Sequence, residues 1–109
     1  MKFKLFYILL VLFCGNTNAA YNNNIRGEVK DVYVYTDHDA IYFRFKNQPT
    51  SHDSCKPTYF VISASIPENR RNQLLSRLLL AKASKENINI GFDSIGDCAN
   101  GYIRVHRVG

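Results

Sequence analysis

The hydrophobic period changes along the chain, and each change marks an element. In AIYFRFK (40–46), Ile41, Phe43 and Phe45 fall on one side and Tyr42, Arg44 and Lys46 on the other. Such alternation is the pattern of a half-buried strand, because successive side chains of an extended backbone point to opposite faces. GEVKDVYVY (27–35), rich in valine and tyrosine, reads as a strand before it, and TYFVISA (58–64) as one after it. NINIGF (87–92) sets Ile88, Ile90 and Phe92 against polar or small neighbours. YIRVHRV (102–108) sets Ile103 and Val105 against Tyr102, Arg104 and His106. NQPTSHDSCKP (47–57) and DSIGDCANG (93–101) are dense in turn formers and read as loops. The asparagine-rich stretch within 20–26 reads as a flexible arm.

The period lengthens once. In SIPENRRNQLLSRLLLAKASKEN (65–87), Leu74, Leu75, Leu78, Leu79 and Lys82 recur at helical spacing, with Arg70, Gln73 and Arg77 on the other side. This predicts a helix over about 67–85 that buries its leucine cluster and turns its arginines outward. Ser65, Pro67 and Glu68 form a capping-box pattern at its start, and Lys82 and Lys85 suit the negative end of its dipole. The order is three strands, a helix and two strands. It predicts an α+β, mostly β fold: a small OB-like five-stranded barrel with one helix between strands three and four. An α+β sandwich with the helix on one sheet face has the same elements.

Composition changes the picture mainly at the start of the chain. Lys2 and Lys4 precede an apolar run from Leu5 to Phe13, followed by small and polar residues. That is the layout of a secretory signal peptide, with cleavage expected after Ala19, or else after Ala20. The run is shorter than the roughly 20 residues a spanning helix needs. Cys14 raises the alternative of lipidation, for which Phe13 is a poor preceding residue. The organisation expected is a signal peptide over 1–19, an arm over 20–26 and one domain over 27–109. The whole chain carries a formal charge of +5; without Lys2 and Lys4 it falls to +3, which by itself names no partner. With Cys14 removed, Cys55 and Cys98 remain. Two cysteines in an exported, periplasmic or secreted chain, with no histidines spaced to complete a zinc set, predict one disulfide.

Candidate chemistry is sparse. Asp37-His38-Asp39 lies between two predicted strands, where aspartates suit a turn by bonding nearby backbone groups. His38 and Asp39 with His52 and Asp53 are the alternative metal set. His52, His106 and Lys46 are the alternative acid–base set, without a recognisable motif. Neither alternative displaces the reading of a protein without cofactor, metal or catalytic residues. The outward positions are more suggestive. Tyr33, Tyr35, Tyr42, Arg44, Tyr102 and Arg104 lie opposite the aliphatic phase, where aromatics interleaved with arginines can stack on sugars or bases. The plain alternative is that tyrosine and arginine suit solvated strand faces.

The pattern GEVKDVYVY…IYFRF…C…YFVIS…LLSRLLLAKASKENINIGFD…DC…GYIRV, spanning 27–108, resembles a family of small exported bacterial proteins of unassigned function. The order of elements is also similar to the B subunits of subtilase-type toxins, OB-fold pentamers that bind sialylated glycans. That resemblance implies glycan binding and a ring-forming homo-oligomer. It assigns no site residue, because the chain has no clear counterpart of those subunits' glycan-site residues and no second disulfide. The function expected is an exported non-enzymatic binding module for a glycan or a protein. The alternatives are a periplasmic inhibitor or immunity protein that blocks an enzyme and, less favoured by export, a nucleic-acid binder.

Overall fold

The computed structural model describes residues 21–109; the predicted signal peptide and Cys14 lie outside the described residues. Six strands and one helix follow in chain order: β1 (Asn23–Val34), β2 (Ile41–Phe45), β3 (Lys56–Ile62), α1 (Glu68–Ser84), β4 (Asn87–Phe92), β5 (Cys98–Ala99) and β6 (Tyr102–Val108).

Five of the strands close a barrel. β1 pairs antiparallel with β2 and with β4, β2 with β3, and β4 with β6; a parallel pairing of β3 with β6 completes the circuit. This is the predicted OB-like closure, with the helix between strands three and four. The sixth strand, β5, is a two-residue addition on β6 inside the segment expected to be a loop.

The N-terminal arm is corrected. Asn23–Arg26 belong to β1, with Ile25 opposite Ile90 and Arg26 opposite Asn89. The asparagines hide this because they are polar and exposed, while Ile25 alone of this stretch packs on the core. Asn22 reinforces the seam: its backbone N–H donates to the Phe92 carbonyl at 3.3 Å, and its side-chain oxygen accepts from the Ser94 N–H at 3.0 Å. Gly27 sits where β1 crosses the barrel tightly. A Cβ there would lie 2.0 Å from Asn47 Oδ1 and 2.8 Å from the Phe45 ring.

The barrel interior holds Phe43, Phe45 and Phe60 in mutual contact, with Ile62, Ile88, Ile90 and Ile103 around them. Helix α1 adds Leu78 and Ala81 to this core, and Leu74 and Leu75 pack at its margin. The expected burial of the whole leucine cluster is corrected: Leu79 and Leu80 are 48% and 61% exposed. A helix lying on a barrel offers one narrow stripe, and positions one and two after Leu78 turn about 100° and 200° away from it. The capping box is also absent. Pro67 occupies the N-cap with no side-chain cap bond, and Ser65 Oγ instead pairs with Ser63 Oγ at 2.9 Å. At the other end Lys85 takes a left-handed conformation (φ 58°) and its N–H closes onto the Ala81 carbonyl. Arg77 turns outward as expected and bonds Glu86 at 2.5 Å.

The Cys55–Cys98 disulfide is formed, with Cα atoms 5.5 Å apart, and ties the segment entering β3 to β5. It is compatible with an oxidising, exported location. Closing a 43-residue separation contributes roughly 3–4 kcal/mol in the chain-entropy account.

Candidate ligand-binding face

A β-bulge decides what the outer face of this barrel carries. Val29 lies opposite Phe45 and Asp31 opposite Arg44, so Lys30 is an extra residue in β1. Before the bulge the inward residues are Ile25, Gly27 and Val29. In that phase Tyr33 would also point inward. The extra residue shifts the phase by one, so Val32 packs on the core while Asp31 and Tyr33 turn outward. Tyr33 then meets Tyr42 across the strand pair.

Five tyrosines gather there. Tyr42 lies at the centre, its ring 5.3 Å from Tyr35, 5.7 Å from Tyr59 and 5.6 Å from Tyr102. Tyr59 also meets Tyr33 at 5.7 Å and Tyr102 at 5.3 Å. All five contacts are edge-to-face, the arrangement that places a ring's positive rim against another's negative face. Tyr42, Tyr59 and Tyr102 rest on a small second core of Ala40, Val61 and Ala99. The belt is therefore a packed layer as well as a surface. Tyr35, 44% exposed, is its most open ring. Burial against neighbouring tyrosines pushes the Tyr35 hydroxyl's pKa up, so it stays a neutral donor at physiological pH.

Arg44 is wedged into this layer. Its Nε and Nη2 donate to Asp31 Oδ2 at 3.1 and 2.5 Å, and Nη2 also donates to the Tyr33 hydroxyl at 3.2 Å. The guanidinium lies 5.9 Å from the Tyr33 ring centre and 5.7 Å from that of Tyr59. Arg44's hydrogen bonds hold the Asp31 carboxyl below its ordinary value, and that carboxylate in turn raises Arg44. Arg44 thus orients tyrosines, with its charge already matched by Asp31.

Two loops frame the belt. The β1–β2 connection, residues 35–40, carries Asp37-His38-Asp39 with bends at Thr36, Asp37 and Asp39 between two paired strands, the predicted link. His38 packs its ring 5.0 Å from Tyr35 and 5.7 Å from Tyr42, and its Nε2 lies 3.8 Å from Asp37. On the opposite rim Asn100, at the β5–β6 turn, donates to the Tyr42 hydroxyl at 2.9 Å, and Lys56 Nζ lies 5.6 Å from the Tyr102 ring centre. Among the described residues no three His, Cys, Asp or Glu side chains converge as metal ligands, and no enclosed pocket is present.

Of the six outward residues read from the sequence, Tyr33, Tyr35, Tyr42, Arg44 and Tyr102 come together. Arg104 does not join them. It bonds Asp97 at 2.9 Å and the Cys98 carbonyl at 3.1 Å, beside His106, which also pairs with Asp97. Tyr59, His38, Asn100 and Lys56 were not among the six. Tyr59 had a signal, since it is out of phase with Phe60 and Ile62 in a predicted strand. The other three had none: loop conformation brings His38 and Asn100 to the belt, and Lys56 is set beside Tyr102 by the pairing of β3 with β6.

Compared with known proteins, the chain matches no family model, no curated protein and no solved structure. Among the described residues, no helix is long and apolar enough to cross a membrane.

Proposed function

We propose that this chain is an exported, non-enzymatic binding module and that its ligand is a glycan taken on the tyrosine belt. The observation that carries this reading is the convergence of four tyrosines on the outer face of β1, β2, β3 and β6 with Tyr35 of the β1–β2 loop, bordered by the β5–β6 turn. In OB-like barrels this face and these loops are where oligosaccharides and oligonucleotides bind. A sugar's apolar ring face stacks on an open tyrosine, and its hydroxyls pair with the polar tips around it. Tyr35 offers the open ring; the His38 ring and the Asn100 carboxamide offer the polar rim. Arg44 in the belt and Arg104 outside it both already face carboxylates, which favours sugar rings over polyanions and argues against nucleic acid. The similarity in element order to toxin B subunits points the same way.

A glycan array probed with the mature protein, its Tyr35→Ala variant and an Arg107→Ala control tests the reading. The wild type and the control should mark the same glycans, and Tyr35→Ala should lose at least about 1 kcal/mol of the binding, typical for truncating a stacking aromatic. A wild type that marks nothing on the array, or a Tyr35→Ala variant that binds at full strength, would overturn it.

A further inference from the structure

Arg70 and Arg71 stand side by side at the start of α1 and meet different surroundings. Arg70 is exposed. Arg71, about 100° further around the helix, falls on the stripe of Leu75 and Leu78, and its side chain is 15% exposed. One arginine of a helix expected to turn its arginines outward is therefore drawn in. Its guanidinium reaches two backbone carbonyls on different segments. Nε donates to Ile66, in the β3–α1 connection, at 2.7 Å, and Nη1 donates to Asp39, in the β1–β2 loop, at 3.0 Å. A charged donor makes such bonds about twice as strong as neutral ones. The Asp39 carboxylate, 3.8 Å from Nη2 and 72% exposed, adds little.

Among the described residues, no other hydrogen bond enters residues 35–40 from outside that loop. The loop nevertheless carries two parts of the ligand face, Tyr35 and His38. These are otherwise placed only by ring contacts with each other and with Tyr42. Asp39 directly follows His38 and precedes Ala40, which belongs to the small core under Tyr42, Tyr59 and Tyr102. A grip on the Asp39 carbonyl thus acts on the loop where it joins the belt.

We propose that Arg71 is a positioning residue of the ligand face: it touches no ligand, and by fastening Asp39 to the start of α1 it fixes where Tyr35 and His38 stand relative to Tyr42. The inference rests on the glycan reading of the belt and deepens it. A sugar stacks on Tyr35 only if that ring is held at one height and tilt, and a loop ordered before the ligand arrives spares binding the ordering cost. The fork of arginine suits the task, because its donors are fixed in one plane and serve two acceptors at once, where lysine offers a single nitrogen on a flexible stem.

Proton NMR of the aromatic rings tests the grip without any ligand. Arg71→Met keeps the apolar stem and removes both bonds. The Tyr35 and His38 ring shifts, which depend on neighbouring rings, should move toward those of free tyrosine and histidine. Tyr59 and Tyr102, on strands, should keep theirs, and β2 and β4 amides should keep their hydrogen-exchange protection. Arg70→Met should change none of these. Arg71→Lys should move the same shifts in the same direction, and it carries the test if Arg71→Met does not fold. On a glycan array, Arg71→Met should bind the glycans that the wild type marks about tenfold more weakly. Tyr35 and His38 shifts that stay in place, or a folded Arg71→Met variant that binds those glycans at full strength, would overturn the proposal. A wild type that marks no glycan overturns the glycan reading instead, and the ring shifts then still decide whether Arg71 holds the loop.

Discussion

The inner and outer faces of one set of strands carry aromatic clusters of opposite character. Inside, Phe43, Phe45 and Phe60 are at most 1% exposed and belong to the apolar core. Outside, Tyr42 and Tyr59 occupy alternate positions of the same two strands and keep their rims in solvent. Both clusters pack ring against ring at 5–6 Å spacings. The hydroxyl makes the difference. A buried phenol needs a partner, and the barrel interior has none to give, so phenylalanine fills it. On the surface the hydroxyl can find a partner, as Tyr42 does in Asn100 and Tyr33 in Arg44, and the rings of Tyr42, Tyr59 and Tyr102 still pack on Val61 and Ala99. The inner cluster therefore serves stability, and the outer one serves stability and, on the function proposed, ligand contact.

The sharpest way to break this comparison is to truncate one ring on each side. Phe60→Ala should destabilise the protein by about 3–5 kcal/mol in denaturant unfolding, whereas its neighbour Tyr59→Ala should cost about 1–2 kcal/mol. Equal losses would mean that the outer layer is as much a core as the inner one.

Helix α1 repeats the contrast on a smaller scale. Leu78, fully buried, should cost about 2–5 kcal/mol when changed to alanine. Leu80, 61% exposed, should change stability by no more than about 0.5 kcal/mol. Thermal melts of the two variants at equal concentration check this, and a large loss in Leu80→Ala would show that this leucine is covered in solution.

The smallest effect concerns Asp31. Its carboxyl is held below the unfolded value by Arg44, so the folded state keeps the anion where the unfolded chain would take up a proton. The stability it contributes is present above the ordinary carboxylate pKa and is lost as pH falls through the lowered one. Wild type minus Asp31→Asn should thus shrink in unfolding experiments carried from neutral pH into that acid window. A difference that stayed constant would mean the pair adds nothing through its charge.

Much of this was legible without coordinates. The bounds of β4 and β6 followed from period-two alternation alone, because each strand has one wet and one dry face. The disulfide followed from cysteine number and a leader-like start. The outward phase of Tyr42 and Tyr102 followed from the same alternation. Other features had no such signal. Asn23–Arg26 carry one apolar residue, and their strand is imposed by the need of β4 for a partner. The exposed pair Leu79 and Leu80 looks identical in sequence to Leu78, and only the narrow contact between helix and barrel separates them.

By itself, then, the sequence determined the number and order of the main elements, which residues alternate, and which cysteines pair. These depend on local periodicity and on counting. The tertiary structure alone decided that Lys30 is a bulge, that Arg44 answers Asp31 while Arg104 answers Asp97, and that His38 and Asn100 reach the belt from loops. Each of those depends on register or on loop path, set by contacts between residues distant in sequence, and a pattern read along one strand carries no information about its partner.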